Sequence, residues 1–145
     1  VRQDFYSGSV NMDAFRYCLA NSRAPVCYNG NLCSIAQIEA FHEEFPQVEA
    51  VMLGRGLAGD PGMLLPVGTT VDALDAFMED LLCSYQEAFG GARNAMFRLK
   101  ENWSYLLPRF EGSEKLGKAL RKTTDVSEYK SLTHQIFHTL PFRQS

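Results

Sequence analysis

The chain has 145 residues, of which 46% are hydrophobic and 21% are charged, and its formal net charge is −3. This composition is typical of a globular protein and excludes a disordered chain. No apolar run approaches the roughly 20 residues that span a bilayer, so we expect no membrane-spanning segment.

The first part of the chain alternates between helical and strand patterns. Ser34 and Gln37 form a capping box, and Asp60 with Pro61 has the pattern of a helix start. The other predicted elements are a loop, a helix, a strand, a helix and a strand, at residues 1–8, 11–21, 26–28, 35–45 and 50–53. This order is that of a βαβ unit with a parallel sheet.

After residue 68 the pattern becomes helical throughout. Amphipathic stretches predict four helices in a small bundle, beginning near residues 71, 92, 113 and 125. We therefore predict an α/β part at residues 1–68 and an all-α part at residues 69–145. Because two strands alone make a poor sheet, we expect further strands from a missing part of the chain or from a second copy.

Charge is distributed unevenly along the chain. Residues 1–90 hold 4 Lys and Arg against 12 Asp and Glu, whereas residues 91–145 hold 10 against 5. The balance changes from −8 to +5, which makes residues 91–145 the candidate for binding a polyanion.

The cysteines have scattered spacings. Cys18, Cys27, Cys33 and Cys83 include no Cys-x-x-Cys pair, so neither a zinc site nor a disulfide framework is indicated. We expect reduced thiols in a cytoplasmic protein. We predict that Cys27 is a buried strand residue and that Cys33 lies beside a helix cap.

Two glycine turns follow the two predicted strands. The first is Asn29-Gly30-Asn31 and the second is Gly54-Arg55-Gly56. Glycine backbone N–H groups and a following helix N-terminus favour phosphate, and arginine adds a fixed positive charge. The pair of turns therefore predicts a phosphate site, with plain tight turns as the alternative.

Residues 54–59 also match the dinucleotide motif G-x-G-x-x-G. That motif requires an acidic residue at the end of the next strand, about twenty residues further on. The candidates Asp72 and Asp75 lie in a predicted helix instead, which disfavours a Rossmann site.

The helical part carries two groups of cations. They are Arg93, Arg98 and Lys100 on the second predicted helix, and Lys115, Lys118, Arg121 and Lys122 on the third. Lysines repeated at helical spacing can follow a phosphate backbone, and the alternative is a solvated face.

Aromatic and histidine side chains accompany these cations. We predict that Trp103 packs in the core, whereas Tyr105 and Phe110 are left open between packing and stacking on bases. His134 and His138 have no third ligand nearby in sequence, so we predict no metal site.

Three segments carry a family resemblance. DFYSG, PVCYNGNLCS and VMLGRGLAGDP, at residues 4–8, 25–34 and 51–61, are followed by a helical tail and resemble the C-terminal half of a tRNA-dihydrouridine synthase. The resemblance implies the last two strands of a (β/α)8 TIM barrel that binds FMN, followed by a helical tRNA-binding domain. Such enzymes use NADPH to reduce the flavin, which then reduces the C5=C6 bond of a uridine in tRNA.

The resemblance also assigns residues. It places Asn29, Gly30 and Asn31 after strand seven, at the FMN phosphate and ribityl chain, and Gly54 with Arg55 after strand eight, at the phosphate. Relatives often have an acidic residue where this chain has Asn31.

The catalytic cysteine of the family belongs to an earlier part of the barrel. We therefore expect no catalytic residue in this chain and no uridine reduction by the chain alone. Two further functions stay open, namely a non-catalytic RNA-binding module and another FMN-dependent barrel oxidoreductase.

Overall fold

The computed structural model describes residues 9–143, so the predicted loop at residues 1–8 lies outside the described residues. Within residues 9–143 the chain forms seven helices and one pair of parallel strands. It divides into two compact units, the first ending at Gly56 and the second beginning at Leu57. The assignment of residues 1–68 to the end of a barrel stays a prediction.

The first unit contains the predicted βαβ arrangement. Its elements are α1, β1, α2 and β2, at Met12–Asn21, Cys27–Tyr28, Ile35–Glu44 and Ala50–Val51. The strands pair in parallel, with Cys27 opposite Ala50 and Tyr28 opposite Val51. The capping box is confirmed, because the Ser34 hydroxyl accepts from the Gln37 N–H at 3.3 Å.

An aromatic cluster forms the core of the first unit. Tyr28 stacks on Phe41 with ring centroids 4.1 Å apart, and Phe15 meets Tyr28 edge-on at 4.9 Å. Phe45 and Val48 complete the buried set. The core therefore lies on the Tyr28 side of the strand pair.

The two predictions for cysteines have different outcomes. Cys27 is exposed, so the prediction of a buried strand residue is wrong. Successive strand side chains point to opposite faces, and Tyr28 occupies the face that carries the aromatic core. Cys33 lies directly before the cap of α2, where its N–H donates to Gln37 Oε1 at 2.7 Å, as predicted.

The predicted helix start at Asp60 is also wrong. A short helix, α3 (Arg55–Gly59), ends there instead, and residues 61–64 form turns. The Asp60 carboxylate is buried and accepts hydrogen bonds from the Thr69 hydroxyl and from Arg109 Nη2, the latter at 2.7 Å. These tertiary partners use the oxygens that would have capped a helix, and they join the segment before residue 68 to the helical unit.

The second unit is helical, as predicted. Its long helices are α4, α5, α6 and α7, at Val71–Phe89, Ala92–Leu106, Glu114–Lys122 and Val126–Thr139, and a 3₁₀ turn at Leu107–Arg109 follows α5. They share one core that contains Trp103 and Phe110, which confirms the prediction for Trp103 and resolves Phe110 as a packing residue. Tyr105 is exposed.

No helix within residues 9–143 combines the length and the apolar character needed to cross a membrane.

Candidate phosphate-binding cleft and basic helix

The first unit contains a cleft at the carboxyl ends of its two strands. Because β1 and β2 are parallel and directly paired, the segments that follow the two strands begin at the same end of the strand pair. The cleft has a volume of 450 Å³ and contains all five residues predicted to bind a cofactor. Its lining consists of Ser9, Val10, Asn11, Asn29, Gly30, Asn31, Leu32, Met52, Gly54, Arg55 and Gly56.

The glycines of the cleft serve different purposes. A Cβ atom at Gly30 would overlap the hydroxyl of Tyr28, so this glycine makes room for the aromatic core. A Cβ atom at Gly56 would lie 2.5 Å from the Leu32 carbonyl, so this glycine lets the two turns approach each other. At Gly54 a Cβ would meet nothing within 4 Å, which leaves its backbone open to the cleft.

Arg55 and Asn31 connect the two turns through their side chains. Arg55 Nη2 donates to Asn31 Oδ1, which directs the guanidinium across the cleft. Asn31 has a φ of 37°, in the left-handed region that asparagine tolerates better than most residues. The amide keeps its oxygen available to Arg55 without adding a negative charge to the site.

Sequence reasoning missed five side chains of the cleft, those of Ser9, Val10, Asn11, Leu32 and Met52. Asn11 caps α1, where its Oδ1 accepts from the Ala14 N–H at 2.9 Å, so the start of α1 lies at the cleft. Met52 is 56% exposed at the end of β2, and Leu32 lies in the first turn. The N-cap at Asn11 is visible in the sequence, but its position beside the glycine turns depends on tertiary packing.

Four cations cover the outer face of α6. Lys115, Lys118, Arg121 and Lys122 are all exposed, while Gly117 and Leu120 on the same helix are buried. Across the described range, residues 9–143, no carboxylate pairs with any of these four side chains. The helix therefore presents a strongly basic surface, and we call these four residues the α6 basic face.

The predicted cations of α5 have different surroundings. Lys100 is half-buried, and its Nζ donates to the carbonyls of Arg121 and Thr123 at the end of α6. Burial lowers the pKa of this lysine from its ordinary value. Arg98 pairs with Glu101 at 3.3 Å, and Arg93 lies over the ring of Phe97. Lys100 thus has a structural role in addition to the predicted RNA contact.

The two histidines lie beside acidic side chains of α4. Their rings are 4.2 Å apart, and His138 Nε2 lies 3.3 Å from Asp75 Oδ2. Lys130 on the same helix pairs with Glu79 at 3.2 Å. In the part of the chain that the structure describes, no three potential metal ligands come together.

Comparison with known families gives a match to the family described as dihydrouridine synthase, over residues 1–139. The chain belongs to the dihydrouridine synthase family. Members of this family form dihydrouridine in tRNA and generally depend on a flavin. Comparisons with curated proteins and with solved structures gave no significant match.

Family membership confirms the resemblance seen in the sequence. The first unit carries a cleft at its two strand ends, and the second unit carries the α6 basic face. The described residues themselves are mostly helical with two parallel strands, and the barrel that the family implies is not seen within them.

Proposed function

We propose that this chain is the part of a tRNA-dihydrouridine synthase that anchors the phosphate of FMN and docks the tRNA. Residues 1–68 are then the C-terminal part of an FMN-binding (β/α)8 barrel, and residues 69–145 the helical tRNA-binding domain. The remaining strands of the barrel, or a second copy of the chain, cover the edges of β1 and β2. The four cysteines are unbonded thiols, in keeping with a cytoplasmic enzyme.

The observation that carries the proposal is the cleft shared by the two glycine turns. Its donors are of the kind that phosphate requires, namely backbone N–H groups near Gly54 and the guanidinium of Arg55. Gly54 leaves space for a ligand to approach the backbone, since a Cβ there would meet nothing within 4 Å. The residues present therefore fit the phosphate of FMN.

Each residue has a proposed task in holding the cofactor. Arg55 binds phosphate oxygens, and Asn31 orients the guanidinium through its amide oxygen. Asn29 and Gly30 form the wall of the cleft on the β1 side, near the ribityl chain. Because Asn31 replaces an acidic residue found in many relatives, it repels the phosphate less than a carboxylate would.

The reaction itself depends on groups outside this chain. FMN, when bound, supplies hydride chemistry, taking a hydride from NADPH and delivering one to the uracil ring. We assign no catalytic residue to this chain, so uridine reduction belongs to the complete enzyme. The contribution of residues 1–145 is to hold the cofactor and the RNA.

The α6 basic face is the proposed centre of tRNA docking. Its four exposed cations suit contacts with phosphates, which dominate the affinity for structured RNA. Arg93 and Arg98 on α5 extend the cationic surface of the helical unit, and Lys100 contributes less because its ammonium group is bonded to the end of α6.

Replacing Arg55 with glutamine tests the cofactor assignment. We expect Arg55→Gln to weaken FMN binding about tenfold or more, because a charged hydrogen bond to phosphate contributes roughly 1.5–3 kcal/mol. The measurement is the dissociation constant of FMN, obtained from quenching of flavin fluorescence.

Arg23→Gln is the matched control, since Arg23 is exposed and lies outside the cleft. Equal FMN affinity in the Arg55 and Arg23 variants would contradict the assignment. If the unmodified protein binds tRNA but no FMN, a non-catalytic RNA-binding module becomes the better description.

A further inference from the structure

We propose that a second cleft, where α4 ends and α5 begins, binds an unpaired nucleobase of RNA, with the ring of Phe97 as its stacking surface. The cleft has a volume of 360 Å³ and is lined by Phe89, Asn94, Phe97, Arg98 and Glu101. The identification of tRNA as the source of that base rests on the proposed function. The nucleobase site itself stands on the geometry of the helical unit.

Two aromatic rings face outward at this cleft. Phe97 is 43% exposed and Phe89 is 42% exposed, although both helices bury other apolar residues in a common core. The exposed rings of α4 and α5 are thus not required to complete that core. Flat aromatic surfaces of this kind stack on bases, because every base has a π-face.

Cations surround both rings. Arg93 Cζ lies 5.9 Å and Lys100 Nζ lies 5.0 Å from the centroid of Phe97, and Arg98 Cζ lies 5.7 Å from the centroid of Phe89. A nucleotide is complementary to this arrangement, because its flat base can stack on a ring while its negative phosphate meets the cations. A base on Phe97 would leave its phosphate near arginine donors, an arrangement that favours RNA over an apolar peptide.

The polar groups of the cleft suit the edge of a base. Asn94 Nδ2 donates to the Phe89 carbonyl at 3.1 Å, which fixes the amide at the helix junction. Glu101 lies at the other side, 3.3 Å from Arg98 Nη1. A carboxylate accepts hydrogen bonds from exocyclic amino groups of bases, so Glu101 favours bases that carry one.

Phe97→Leu tests the site because it removes the ring and keeps an apolar side chain. The control is Phe77→Leu, since Phe77 is 45% exposed on α4 but lies outside the cleft. Phe97→Tyr keeps the ring and is expected to bind RNA like the unmodified protein. The probes are a tRNA transcript and a short single-stranded RNA with one 2-aminopurine, whose fluorescence falls when the base stacks.

We expect Phe97→Leu to lower the affinity for both RNAs about tenfold, as loss of one stacked base does. The slope of log K against log salt concentration is expected to stay unchanged, because no phosphate contact is removed. Phe77→Leu is expected to bind both RNAs with unchanged affinity. The 2-aminopurine signal is expected to fall on binding to the unmodified protein.

The outcomes separate this site from the proposed function. If the protein binds tRNA and the single-stranded RNA, and the Phe97 and Phe77 variants bind each of them equally, the nucleobase site is overturned and the tRNA proposal is unaffected. If single-stranded RNA binds in a Phe97-dependent way, the site stands, and the tRNA proposal is overturned only if tRNA does not bind. Binding of neither RNA overturns both. Should Phe97→Leu not fold, unquenched 2-aminopurine on the unmodified protein overturns the site.

Discussion

Tyr129 and Trp103 form a polar contact inside the helical unit. Trp103 Nε1 donates to the Tyr129 hydroxyl oxygen at 2.9 Å, and both side chains are buried. Burial raises the pKa of Tyr129 to about 12, and the hydrogen bond from Trp103 acts in the opposite direction with a smaller effect. The fold therefore keeps the hydroxyl of Tyr129 protonated at pH values above the ordinary pKa of tyrosine.

This shift predicts a loss of stability in alkali. The folded pKa of Tyr129 lies above the unfolded value, so its contribution is complete below about pH 10 and is lost as the pH rises towards 12. We expect the free energy of unfolding to fall in that window by about 1.4 kcal/mol per pH unit from this group.

Tyr129→Phe provides the comparison in denaturant titrations at several pH values. The variant loses an acceptor for Trp103 and is expected to be less stable at neutral pH, but its decline above pH 10 should be shallower. Parallel curves for the two proteins would show that Tyr129 does not titrate in this way. Tyr28, whose pKa is also raised by burial, accounts for part of the remaining decline.

The environment of some residues could be predicted from the local sequence, and that of others could not. The place of Trp103 followed from its position on an apolar stripe, which is a local property of the sequence. The burial of Asp60 and the bonding of Lys100 to α6 depend on partners 49 and 23 residues away in the chain. No local pattern signals such contacts, so the helix cap predicted for Asp60 is wrong and the bonding of Lys100 to α6 was not foreseen, while its RNA contact stays a prediction.

Helices were the most predictable elements because their signals are local. The predicted caps Ser34 and Asp125 accept from the N–H groups of Gln37 and Glu128, as short-range patterns require. The helix expected after Asp60 failed because its capping carboxylate is used by Thr69 and Arg109. The strands were foreseen in position, at residues 26–28 and 50–53, but each is only two residues long.

Helix α6 offers a test at the scale of one element. We expect the triple change Lys115→Glu, Lys118→Glu and Lys122→Glu to weaken tRNA binding and to reduce its salt slope by about 2–3, since each lost phosphate contact removes roughly 0.7–0.9. The measurement is the affinity for a tRNA transcript at several salt concentrations.

The control for this test reverses three cations elsewhere. Arg16, Arg23 and Lys130 are exposed and lie outside α6, so changing them to glutamate alters the total charge by the same amount. If both triple variants lose the same slope, net charge rather than the α6 basic face determines tRNA affinity. Circular dichroism shows whether α6 keeps its helix.

The whole molecule has two cores, and its positive charge is concentrated in residues 91–145 of the second unit, with 10 Lys and Arg against 5 Asp and Glu. The first unit has an aromatic core and one cleft at its strand ends, and the second has a larger core and the α6 basic face. The meeting of the two glycine turns in one cleft was predictable because adjacent parallel strands end at one edge of a sheet. Asn11 and Met52 were not predictable as its lining, since they reach the cleft only through packing.

The measurement that tests the account most directly compares the affinities of the protein for FMN and riboflavin, which differ only by the phosphate. We expect FMN to bind about tenfold more tightly or better, since phosphate gains charge-assisted hydrogen bonds in the cleft. Saturating inorganic phosphate should abolish the difference. Equal affinities for the two flavins would contradict the assignment of the glycine turns to phosphate and, with it, the central claim.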